Sequence, residues 1–114
     1  MSSVLTWKDA LGKGYEPRLY PYAAEEVPAG QYEARLDFKI WAKRAYTLNC
    51  FFTQAGSGKK FQLAVYRRYD DGVYGLPGSD LDFKECPVET VYLIKVSVSE
   101  KGRAVFQEAS PAAG

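Results

Sequence analysis

From Gln31 to Tyr69 the chain alternates in hydropathy at period two, and no other feature limits its fold so tightly. In the first run Tyr32, Ala34, Leu36, Phe38, Ile40 and Ala42 share one parity, and Glu33, Arg35, Asp37, Lys39, Trp41 and Lys43 share the other. Successive side chains of a strand point to opposite faces, so alternation of this length predicts a half-buried strand. The second run sets Tyr46, Leu48, Cys50 and Phe52 on the apolar side and Thr47, Asn49, Phe51 and Thr53 on the other. The third sends Phe61, Leu63 and Val65 inward and Gln62, Ala64, Tyr66 and Arg68 outward. Ala55-Gly56-Ser57-Gly58 has the chemistry of a turn, because glycine takes positive φ without steric cost. Two consecutive hairpins follow, and hence a three-stranded meander.

The outward parity is not that of an ordinary solvated face. It carries Trp41, Phe51 and Tyr66 among Lys39, Lys43 and Arg68, while the inward parity already supplies a core. That face is the candidate working surface. Charge concentrates in the same stretch. Residues 31–69 hold eight basic and two acidic side chains, for +6, whereas residues 1–30 come to −1 and residues 70–114 to −4. A domain polarised in this way steers toward a polyanion although its total formal charge is +1.

Residues 1–30 read as an arm. Thr6 before Trp7-Lys8-Asp9 has the pattern of a helix N-cap with an acid at the third position, and Gly12 and Gly14 end that helix early. Pro17 and Pro21 then enforce extended or polyproline geometry in a segment rich in tyrosine. Such an arm either lies across the sheet or closes a barrel end, or it docks a protein partner and orders on binding. In the first case Trp41 or Phe51 lies beneath it with Tyr20 and Tyr22.

After Tyr69 the chain enters an acidic, glycine-rich connection. Asp70, Asp71, Asp80 and Asp82 lack the alternate carboxylates and closing Glu of an EF-hand loop, so no calcium site is expected. Ser79 or Asp80 is placed to cap a single turn through Phe83-Lys84-Glu85. Pro87 precedes the last two strands, Val91 to Val98 and Ala104 to Gln107, joined by a turn at Glu100-Lys101-Gly102-Arg103. Residues 109–114 are small and read as a flexible tail.

Composition removes several classes of function. The chain has 114 residues, enough for one domain with its own core, and no apolar run of membrane-spanning length. A charged N-terminus does not read as a secretion signal, so a soluble cytoplasmic protein is expected. With no histidine and two distant cysteines, Cys50 and Cys86, neither a tetrahedral zinc site nor a His-based nucleophile pair is available. Cys50 lies on an inward parity, where a free thiol behaves as a small hydrophobe. Gly56-Ser57-Gly58-Lys59 lacks the leading glycine and the closing Ser or Thr of a phosphate-binding loop, and reads as a hairpin turn. No catalytic residue, metal or cofactor is expected, and the chain does not read as an enzyme.

The long, bulge-prone first strand ending at Lys43, the hairpin around Gly56 and the Val91–Gln107 hairpin together resemble the OB-fold, a five-stranded, partly open Greek-key barrel. The likeness is to a fold and covers roughly residues 30 to 108; the connection over residues 70–89 departs from it by lacking a helical period, which leaves an SH3-like or other small β-barrel as the second reading. The fold class expected is all-β, a small five-stranded OB-like barrel over residues 31–108, with residues 1–30 as an arm carrying one short helix. In OB-folds that bind single strands, bases stack on rings across the second and third strands and phosphates rest on cations. The resemblance implies stacking on Trp41, Phe51 and Tyr66, and backbone contacts from Lys39, Lys43, Arg44, Lys59, Lys60 and Arg68. The expected function is single-stranded nucleic-acid binding, DNA before RNA. The alternative is a protein-interaction domain, for instance a small phage or mobile-element protein acting on a host complex. Homo-oligomerisation is left open.

Overall fold

The structure, a computed structural model, describes residues 4–23, 27–43, 46–75, 81–98, 100–102 and 104–111. Its elements in chain order are β1 (Val4–Leu5), α1 (Trp7–Gly12), β2 (Gly30–Trp41), β3 (Thr47–Gln54), β4 (Lys60–Arg67), β5 (Tyr74–Gly75), β6 (Thr90–Val98) and β7 (Ala104–Pro111), with a 3₁₀ turn at Pro17–Leu19. The meander and the final hairpin lie in one curled sheet, ordered β5-β4-β3-β2-β6-β7, with β1 running parallel to β2. Three hairpin-linked strands and a fourth that returns beside the first make a Greek key. Among the described residues the strands number seven rather than five, the two additions being the two-residue β1 and β5.

The long strand β2 organises the sheet. Gly30 to Leu36 pair with β6 on one side, while Ala34 to Trp41 pair with β3 on the other. The register slips between Leu36 and Phe38, so Asp37 is an extra residue with no partner of its own. A bulge of one residue inverts every later side chain. The parity expected along the whole run is therefore wrong beyond Asp37. Leu36, Lys39 and Trp41 share one face, and Phe38 and Ile40 share the opposite one with Phe51.

Two cores result. The larger gathers Leu36, Leu48, Phe52, Phe61, Val65, Tyr92 and Ile94 inside the curl, with Phe83 from the loop before β6. The smaller gathers Ala10, Tyr20, Phe38, Ile40 and Phe51 on the outer face. Full burial of such a side chain contributes about 1.5–3 kcal/mol, so the smaller core is a real attachment for the arm.

The arm begins as the sequence leads one to expect. The Thr6 hydroxyl accepts from the Asp9 amide at 3.2 Å, and the Asp9 carboxylate accepts from the Thr6 amide at 3.4 Å. This capping box starts α1, whose Ala10 faces the sheet. Beyond it, Tyr15 stacks on Phe38, and Tyr20 meets Phe38 and Phe51 edge-on. The Gln62 amide donates to the Pro21 carbonyl at 2.8 Å, and Tyr22 bridges Gln62 at the edge of β4. Ala23 and Val27 then enter the larger core. The arm thus passes from the outer face, around a sheet edge, to the inner one. Together with β5 it covers an edge that would otherwise invite pairing.

Two smaller expectations change. The return strand does not stop at Gln107; it runs to Pro111, with Ala109 paired to Ile94 and buried, so residues 109–111 are sheet and not tail. The turn before β6 is held by Asp82, whose carboxylate accepts from the Lys84 amide at 3.1 Å and the Tyr74 amide at 3.2 Å. Ser79 and Asp80, expected to cap it, lie outside the described residues.

Candidate functional site

The aromatic row expected across the second and third strands does not form. Phe51 is 1% exposed, stacked at 4.5 Å on Phe38 and covered by Tyr20. Trp41 was expected to face outward, but the Asp37 bulge turns it to the inner face, where it packs edge-on against Tyr74. Tyr66 alone of the three is open, at 64% exposure.

Lys39 changes role completely. It is 0% exposed, and its Nζ donates to the carbonyls of Phe83 at 3.1 Å, Lys84 at 3.0 Å and Cys86 at 2.6 Å. An ammonium has three donors, and all three are matched here. Burial lowers its pKa from the ordinary lysine value. This lysine fastens the loop before β6 to the sheet and is closed to any ligand.

The remaining expected cations divide between locations. Lys59 and Lys60 sit at the far end of the β3–β4 hairpin, with the Lys60 ammonium 5.2 Å over the Tyr20 ring. Arg68 pairs with Asp71 at 2.6 Å. Lys43 is exposed in the β2–β3 connection, and Arg44 lies outside the described residues.

At the hairpin's other end is a surface that parity does not reveal. Tyr46, assigned inward by its parity, stands instead in the β2–β3 connection with φ of +67° and 55% exposure. A left-handed backbone costs a non-glycine residue roughly 1–2 kcal/mol. The Arg67 guanidinium lies 4.6 Å over the Tyr46 ring, and the Arg67 amide donates to the Tyr46 carbonyl at 2.9 Å. Tyr46, Thr47, Tyr66, Arg67 and Tyr69 line a groove of about 370 Å³. Among the described residues neither Lys43 nor Arg67 is in an ion pair. The available sequence signal was the basic and aromatic residues at both ends of the hairpin strands, Lys43 and Tyr46 before one and Arg67-Arg68-Tyr69 after the other; the pairing of Thr47 with Tyr66 brings Tyr46 beside Arg67.

A second cavity, of about 550 Å³, lies where the arm crosses the bulge and is lined by Glu16, Asp37 and Glu89 as well as Arg35 and Lys60. The Asp37 carboxylate accepts from Arg35 Nε at 2.7 Å, from the Tyr20 hydroxyl at 2.8 Å and from the Thr53 hydroxyl. Burial and the neighbouring carboxylate push the Tyr20 phenol far above its ordinary pKa, so it stays a donor. With both carboxylate oxygens engaged, Asp37 works as a tie holding the arm to the sheet.

Cys50 and Cys86 are free, buried thiols, both raised in pKa by burial, and Cys86 Sγ donates to the Asp82 carbonyl at 3.2 Å. Among the described residues no group of three or more metal-ligating side chains forms, and no helix is long and apolar enough to cross a membrane. Comparison with protein-family models, with curated proteins and with solved structures finds no match, so the functional reading below stands on geometry.

Proposed function

We propose that the chain is a non-enzymatic module that binds single-stranded nucleic acid, with its working surface in the Tyr46–Tyr66–Tyr69 groove rather than across the middle of the sheet. One observation carries this: three exposed tyrosine rings, at 55%, 64% and 103% exposure, surround one groove beside Arg67. Bases stack on such rings for about 1–3 kcal/mol each, and cations beside them take the phosphates. The order β6-β2-β3-β4 supports the finer reading of the fold as an OB-like barrel left open between the end strands β5 and β7.

The test is titration of a labelled oligothymidylate by fluorescence anisotropy at low and moderate salt. Tyr66→Ala and Arg67→Ala should each weaken binding by about tenfold or more, and binding should fall as salt rises. Parental affinity in both variants, or indifference to salt, refutes the reading.

A protein partner is the second reading. Tyrosine and arginine are the residues that dominate protein interfaces, and Asp70 and Asp71 follow Tyr69 directly. Salt-insensitive capture of an apolar peptide by the same groove would favour it.

A further inference from the structure

We infer that the groove houses one unpaired nucleotide, as presented by a strand end, a bulge or a flipped base, and does not track a strand. This rests on the nucleic-acid reading and makes its substrate class narrower.

Three features confine the site. Its volume of about 370 Å³ is near the floor of the roughly 300–1,000 Å³ range of small-ligand sites, which suits a single base with its sugar. Stacking surface ends within two same-face residue pairs along the hairpin. After Thr47–Tyr66 come Asn49–Ala64 and then Phe51–Gln62, where Tyr20 already covers the ring. Beyond that point the cavity at the bulge sets three carboxylates, Glu16, Asp37 and Glu89, against two cations, Arg35 bound to Asp37 and Lys60 over the Tyr20 ring. A phosphodiester carried further over this face meets carboxylates and the arm, both unfavourable to an anion.

The cations agree with a short footprint. Among the described residues Arg67 lines the groove and exposed Lys43 lies in the connection that leads to Tyr46, whereas Arg68 is held by Asp71 and Lys39 is buried. Each neutralised phosphate on a single strand contributes about −0.7 to the slope of log K against log salt, so the slope expected is about −0.7 to −1.4.

The experiment is calorimetric titration of the full chain with 5′-phosphorylated oligothymidylates of two, four, eight and sixteen nucleotides. Two duplexes accompany them, one fully paired and one with a single-nucleotide bulge. Affinity per protein should change by no more than about threefold from the shortest to the longest strand, after correction for the number of positions. The bulged duplex should bind and the fully paired one should not. Affinity that climbs by about tenfold or more between two and eight nucleotides, with a salt slope steeper than about −2, overturns the single-nucleotide site and leaves nucleic-acid binding standing. Absence of binding to every strand overturns both. Tyr66→Ala, measured on the dinucleotide, ties a positive result to this groove, because loss of affinity there has no other source on an exposed ring.

Discussion

Phe51 and Tyr66 lie on one face of one hairpin, two same-face residue pairs apart, and the structure treats them in opposite ways. Phe51 is 1% exposed beneath the arm, and Tyr66 is 64% exposed beside a groove. The strands that carry them are equally regular. What separates them is the arm, which crosses one end of the hairpin and leaves the other open. An outward aromatic is thus core or surface according to what lies across it, a property of distant residues that local periodicity does not encode.

The largest expected effect tests the covered end. Phe51→Ala should cost about 3–5 kcal/mol, read as a lower urea midpoint, whereas Tyr66→Ala should stay within about 0.5 kcal/mol of the parent. Equal effects at the two positions would break the comparison. Next comes Lys39→Met, which keeps the volume but leaves the carbonyls of Phe83, Lys84 and Cys86 without their donor. A loss of about 1–3 kcal/mol is expected, with faster amide exchange in residues 83–86 and an unchanged groove.

pH separates buried from open groups in another way. Burial holds the Cys50 and Cys86 thiols above their ordinary value of about 9.0, so the folded chain keeps protons that the unfolded chain releases. Their contribution to stability is complete below that value and is lost as pH rises, at up to about 1.4 kcal/mol per pH unit for each thiol. Lys39, lowered by burial, works in the opposite direction. Denaturant melts from pH 8 to 10.5 should therefore slope downward less steeply in Cys50→Ala than in the parent. An unchanged slope would show that the thiol ionises freely in the fold.

Smaller again is Tyr20→Phe, which removes the hydroxyl that the arm gives to Asp37. A cost of about 1–2 kcal/mol is expected, with loosening of residues 15–22 in hydrogen exchange. Smaller still is the effect of Tyr46→Gly on stability. Relief of the left-handed backbone is offset by the greater freedom of glycine in the unfolded chain, leaving a change within about 1 kcal/mol, while oligonucleotide affinity falls. A variant that binds as the parent does would remove Tyr46 from the groove's function.

Much of the architecture was legible in the residues. Thr6 and Asp9 announced their capping box, the glycines of residues 55–58 their hairpin, and the alternation of Tyr92, Ile94 and Val96 its strand. The bulge was not legible at its position, although the first strand read as bulge-prone. Phe38 and Ile40 continue the apolar parity of Ala34 and Leu36, so inversion after Asp37 leaves no break in the pattern. Lys39 and Trp41 were misplaced for that one reason. Phe51 was misplaced for another, since its cover comes from Tyr20, 31 positions earlier in the chain. Tyr46 was assigned inward because alternation was extended into a connection where the backbone turns left-handed. The continuation of β7 to Pro111 was hidden by small residues, which pair through their backbone and leave little hydropathic trace.

The tripod made by Lys39 grips main-chain oxygens and ignores the identity of the residues that bear them. Exposed Glu85 is accordingly open to replacement, whereas Phe83 and Cys86 are tied by their own buried side chains. Length is another matter. One residue inserted or deleted between Phe83 and Cys86 would move the oxygens out of reach and strand a charge in the interior. That stretch can drift in spelling where it meets solvent and is fixed in span.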